Sequence, residues 1–141
     1  MPSHNPPIMP PEWTPHARTW MSFPTPNDTF GAPGSEGLGR ARTAWTSVAH
    51  TIARYEPVTV VSHPQDEAAA RDLLGSDVEI LTAALDDAWM RDSGPTFTLD
   101  PDGGLSAVDW VFNGWGAQSW ARWGHDRHLA AVVAHHAQAP V

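Results

Sequence analysis

There is no cysteine among the 141 residues. That excludes a disulfide framework, a thiolate metal site and a cysteine nucleophile supplied by this stretch of chain. Positive charge is scarce as well. Eight Lys+Arg stand against sixteen Asp+Glu, a formal charge of −8. Such a surface repels phosphate backbones and anionic lipid, which argues against nucleic acid and membranes as partners. No apolar run approaches the roughly 20 residues needed to cross a bilayer. The opening residues, Met1-Pro2-Ser3-His4-Asn5-Pro6-Pro7, have neither the basic n-region nor the apolar h-region of a secretory leader, so a cytoplasmic location is expected.

What is present reads as a single globular unit. Hydrophobic residues make up 41% of the chain and charged residues 17%, a balance suited to a packed core rather than to disorder. The fourteen prolines and eleven glycines gather toward the first forty residues, which predicts an irregular opening with residues 1–10 disordered. Thr19 to Phe23 reads as a strand. From Leu38 the apolar residues Ala41, Trp45, Val48, Ile52 and Tyr55 step by three and four, which predicts a helix ending near Glu56-Pro57. The β-branched run Val58-Thr59-Val60-Val61-Ser62 is a buried strand. Pro64 then suits the first turn of a second helix through Glu67, Ala70 and Leu74, with Gly75 as its C-terminal cap. Val78 to Leu81 and Thr96 to Leu99 read as strands, Asp100 to Gly104 as a hairpin turn, and Leu105 to Phe112 as the returning strand. Asp126 opens a last helix with Leu129, Val132 and Val133 on its apolar side. The class is α/β. With nothing following the last helix to pack on it, residues 1–141 read as the N-terminal part of one larger domain.

The segment Asp86-Asp87-Ala88-Trp89-Met90-Arg91-Asp92-Ser93-Gly94-Pro95 carries the most chemistry. It follows a strand end, where open α/β sheets hold their ligands. It sets an indole three residues from a carboxylate. An indole face attracts a flat cation through its quadrupole, and a carboxylate accepts paired hydrogen bonds from a guanidinium fork. The structural alternative is that Trp89 fills core space and Asp92 caps the turn before Ser93-Gly94-Pro95. Arg91 reads as an ion-pair partner, since its charge repels a cation. Asp86 and Asp87 either add negative field or cap the loop.

Other clusters point less clearly. Of eight tryptophans, Trp45 on the helical stripe and Trp110 in a strand are expected in the core. Trp115, Trp120 and Trp123, in the loop Asn113 to Gly124, are the candidates for a sugar platform. The histidine pairs His125/His128 and His135/His136 lack the neighbours of a metal site, and adjacent helical residues do not share a face. No serine sits in a G-x-S-x-G elbow. No complete catalytic apparatus is visible.

Three stretches resemble one family. Pro11-Glu12-Trp13-Thr14-Pro15-His16-Ala17-Arg18-Thr19-Trp20-Met21-Ser22-Phe23-Pro24 is similar to the opening of the agmatine deiminases, in the peptidyl-arginine deiminase group of the pentein superfamily. Asp87 to Phe97 is similar to their first active-site segment, and Val108-Asp109-Trp110-Val111-Phe112-Asn113-Gly114-Trp115-Gly116 to the strand and loop after it. The resemblance runs from about Met9 to about Ala134. It implies a pentein-type α/β propeller of ββαβ modules around a central pocket, with the first module and the start of the second in this chain. It implies hydrolysis of agmatine to N-carbamoylputrescine and ammonia in putrescine biosynthesis, without metal or cofactor, by a parent enzyme that is homo-oligomeric. By position Trp89 stacks on the guanidinium and Asp92 binds its nitrogens, with Asp87 and Arg91 in support. The family's nucleophile, a C-terminal cysteine, is absent here, and no histidine lies in a segment like its catalytic one. Asp86 stands where the family more often has asparagine. Peptidyl-arginine or free arginine as substrate, or a non-catalytic remnant binding guanidinium or carbohydrate, are the alternative readings.

Overall fold

The computed structural model describes residues 6–141. Three parallel strands, β1 (Thr19–Ser22), β2 (Val58–Ser62) and β3 (Glu79–Thr82), form a sheet in the order β1-β2-β3. Thr19 faces Val58 across one ladder, and Thr59 faces Glu79 across the other. Parallel neighbours need crossovers, and helices supply both. Helix α1 (Glu36–Ala53) links β1 to β2. A 3-10 turn (Pro64–Asp66) and α2 (Glu67–Leu74) link β2 to β3.

The β2 strand is buried at all five positions, as a central strand covered on both faces must be. Its alternation divides the core. Val58 and Val60 pack with Phe23, Ala49, Ala70, Leu74 and Val78 beneath α1 and α2. Val61 packs on the opposite face with Leu85, Leu129 and Val133, where helix α5 (Leu129–His136) lies. The layers are therefore helix, sheet, helix.

Local signals explain the element ends. The Ser35 hydroxyl accepts from the Leu38 N–H and starts α1. Gly75 takes φ +66 and closes α2, a conformation costly for any residue with a Cβ. The buried line of α1 is Leu38, Thr46 and Ala49, flanked by Ala41, Trp45, Ile52 and Ala53. Val48 and Tyr55, expected on that stripe, are exposed instead. A step of 3.6 residues puts Val48 about 100° from Ala49, outside the contact.

The hairpin β4 (Thr96–Leu99) and β5 (Leu105–Val108) is antiparallel, and Gly103 takes φ +84 in its turn. The return strand is shorter than its residue pattern predicts. Val108 pairs with Thr96, and the ladder ends there. Trp110 thereby leaves the sheet. It is 60% exposed and not in the core, with its indole N–H donated to the Thr96 hydroxyl at 2.9 Å.

Of residues 1–10, expected to be disordered, 1–5 lie outside the described residues. Ile8 exchanges both backbone hydrogen bonds with Leu99, each at 2.9 Å, and so extends the hairpin edge. No helix among the described residues is long and apolar enough to cross a membrane.

Candidate functional site

The loop leaving β3 turns into a single helical turn, α3 (Met90–Ser93), with Trp89 at its N-terminal edge. The Trp89 carbonyl accepts from the Asp92 N–H at 3.0 Å, the Ser93 N–H at 3.1 Å and the Ser93 hydroxyl at 3.0 Å. Trp89 and Asp92 are thus tied through one turn of backbone. Gly94 ends it where any Cβ would stand 2.6 Å from the Met90 carbonyl oxygen, so the turn requires glycine there.

Trp89 is neither core nor free. Its ring meets Trp45 edge-on at 5.7 Å and lies tilted against Phe30 at 6.0 Å, while 36% of the residue remains exposed. Phe30 is placed by Asn27, whose side-chain oxygen accepts from the Thr29 and Phe30 N–H groups at 2.9 and 2.8 Å. An indole braced by two aromatics with part of its surface open can receive a flat cation without reorganising. Asp92 is exposed, and its Oδ1 accepts the Trp115 indole N–H at 3.3 Å. No basic side chain forms an ion pair with it among the described residues, which leaves the carboxylate available to a guanidinium.

The Trp115 position is unusual. Asn113 is followed by a helical turn, α4 (Gly114–Ala117), whose four residues have φ of +63, +56, +87 and +58. The turn is left-handed, and two of its residues carry a Cβ, which costs roughly 1–2 kcal/mol each. The Asn113 side chain accepts from Gly116 N–H at 2.9 Å, and its carbonyl accepts from Ala117 N–H at 2.8 Å. Strain of this kind gathers at functional sites.

The remaining candidates divide by place. Asp87 is buried and accepts from its neighbour Ala88 N–H at 2.8 Å and from the Thr29 hydroxyl at 3.4 Å, so it shapes the loop from within. Arg91 points to the surface and pairs with Glu12 at 3.0 Å. Asp86 accepts from the His125 N–H at 2.6 Å and the Asp126 N–H at 3.3 Å. Of the candidates for a sugar platform, Trp115 and Trp120 stack on each other at 5.4 Å and both stay exposed, while Trp123 lies against Gly114. Residue types alone do not reveal the Trp115–Asp92 bond or the ties between Asp86 and Asp126. The only local signal for the first is the Asn-Gly-x-Gly turn that delivers Trp115.

Metal chemistry has no visible holder: among the described residues no three His, Asp or Glu side chains gather as ligands. His125 lies with its ring 6.4 Å from that of His63, and His136 pairs with Glu79 at 3.1 Å. An open groove lined by Thr43, Thr46, His50 and Arg54 runs along α1, and neither Trp89 nor Asp92 lines it.

The model of the Porphyromonas-type peptidyl-arginine deiminases matches residues 8–141. The chain belongs to that family. A putative agmatine deiminase of Streptomyces coelicolor is 61% identical over 133 residues, which cover 94% of this chain and 39% of the relative. The agmatine deiminase of Stutzerimonas stutzeri is 40% identical over 129 residues, covering 89% of this chain and 34% of that protein. The structure of the Enterococcus faecalis agmatine deiminase superposes with a TM-score of 0.87 at 28% identity, over 95% of this chain and 36% of that one. This deiminase-family chain therefore spans between a third and two-fifths of the length of such relatives. Its α/β fold is that of the matching part of an agmatine deiminase.

Proposed function

We propose that this chain forms the guanidinium-binding part of an agmatine deiminase, as the N-terminal portion of a single catalytic domain. Trp89 and Asp92 are its substrate contacts. One observation carries the reading: an indole braced by Phe30 and Trp45 shares a backbone turn with an exposed, unpaired carboxylate held by Trp115. The agmatine deiminase relatives supply the substrate class.

The chemistry follows from charge and shape. Agmatine presents a planar guanidinium cation. The Trp89 face takes that plane by cation–π attraction, and the Asp92 carboxylate takes two of its N–H groups. Together they fix the plane and so the direction along which a nucleophile reaches the central carbon. Water then replaces one nitrogen, with N-carbamoylputrescine and ammonia as products, a step toward putrescine in the cytoplasm. With no cysteine in its 141 residues, this chain binds and orients but does not supply the attacking thiolate.

The test is a chimera in which this chain replaces the corresponding stretch of the Streptomyces coelicolor relative. The 141-residue chain alone should release no ammonia from agmatine, and the chimera should release it. Asp92→Asn in the chimera keeps the shape, removes the charge and should lower kcat/KM by about 100-fold or more. A folded chimera that ignores agmatine, or that prefers peptidyl-arginine, overturns the reading.

A further inference from the structure

Two carboxylates forty residues apart in sequence hold each other's backbone. Asp86 Oδ2 accepts from the N–H of His125 at 2.6 Å and of Asp126 at 3.3 Å. In return Asp126 Oδ1 accepts from the N–H of Asp86 at 2.7 Å and, more loosely, of Asp87 at 3.5 Å. Each side chain thus satisfies N–H groups on the other's segment. Asp126 is 2% exposed and opens the 3-10 turn (Asp126–His128) that leads into α5. The Asp86 carbonyl is held from a third direction by the Asn27 amide, at 3.0 Å. The next residues along the loop are Asp87, Ala88, Trp89 and α3.

Burying a carboxylate is expensive unless its hydrogen bonds repay it. Burial is the main force raising the Asp126 carboxyl above its ordinary range, and the charges of Asp86 and Asp87 add to it. An apolar residue would fill this space more cheaply, but it could not bind the two N–H groups. What the pair supplies is position: it joins the loop that delivers Trp89 and Asp92 to the segment that follows Trp115 and Trp120.

We propose that Asp126 and Asp86 are positioning residues for guanidinium binding, a reciprocal clasp that sets the Trp89–Asp92 turn against the Trp115 loop. The inference rests on the proposed role of Trp89 and Asp92. Neither Asp126 nor Asp86 touches substrate, so each acts through the backbone it holds.

The experiment uses the ¹⁵N-labelled 141-residue chain and agmatine as the probe. The Trp115 indole N–H, donated to Asp92, reports the clasp without any ligand. Asp126→Ala and Asp86→Ala should each shift that resonance and weaken agmatine binding by about tenfold or more. Asp126→Asn, which keeps the accepting oxygen, should restore both. If Asp126→Ala loses the amide resonances of β2, the half-buried Asp86→Ala decides the matter. A folded Ala variant with an unmoved Trp115 resonance, or with affinity within about twofold of the parent, overturns the clasp. If the parent chain binds no agmatine, the guanidinium reading fails by itself, and the ligand-free Trp115 resonance still decides the clasp.

Discussion

Asp92 and Trp115 illustrate how much a single polar contact carries. A carboxylate on a one-turn helix is free to rotate, and a substrate that needs both its oxygens loses affinity to that freedom. The Trp115 indole N–H fixes one oxygen at 3.3 Å. Trp115→Phe keeps the aromatic bulk stacked on Trp120 and removes only that donor. In the chimera it should cost about tenfold in kcat/KM, within the range for a hydrogen bond to a charged acceptor, while the melting midpoint stays put. Unchanged kinetics would remove Trp115 from the site. The residues Trp89 and Asp92 were legible in the sequence because their chemistry is local. Trp115 was visible only as one exposed indole among several, since what gives it a role is a partner 23 positions away.

At the scale of elements, α1 and α2 are joined by more than apolar contact. Arg42 on α1 pairs with Asp66 at the head of α2, and both side chains are largely buried. The guanidinium also donates to the Pro24 carbonyl at 3.0 Å and lies over the Phe23 ring at 4.9 Å. The Thr25 hydroxyl completes Asp66 at 2.7 Å. Removing one partner strands a buried charge, so Asp66→Ala should cost about 3–5 kcal/mol. The double variant Arg42→Met with Asp66→Leu should recover much of that loss. Urea unfolding of the three proteins checks it, and a neutral Asp66→Ala refutes it. Helices and parallel strands were readable because burial imposes their period. The end of β5 was not, because Trp110-Val111-Phe112 carry the aromatic and β-branched side chains of a strand yet lie beyond the last paired residue, Val108. The left-handed turn Gly114–Ala117 was equally hidden, since Trp115 and Ala117 have no preference for positive φ.

Across the whole molecule, acidic groups of opposite behaviour share the response to pH. Burial, with smaller pushes from Asp86 and Asp87, raises Asp126 to about 6 from an ordinary 3.8. The fold therefore holds a proton that the unfolded chain has released between those values. Its contribution is full below about 4, declines as pH rises toward 6 and is constant above. Glu56 and Glu79 run the other way. They are lowered chiefly by hydrogen bonds from Thr19 and Thr59, and their support is lost as pH falls below about 4.5. Asp126→Asn should flatten the first limb and raise stability at pH 7 by on the order of 1–3 kcal/mol. Unfolding midpoints from pH 4 to 8 measure this, and a variant that follows the parent curve contradicts it. The bridge from Ile8 to Leu99 has a temporal meaning too. A ribosome adding about 5–20 residues per second makes Ile8 wait roughly 5–20 s for its partner to be synthesised. Ile8 can therefore dock only after β1, β2 and β3, which lie between it and Leu99, have been made.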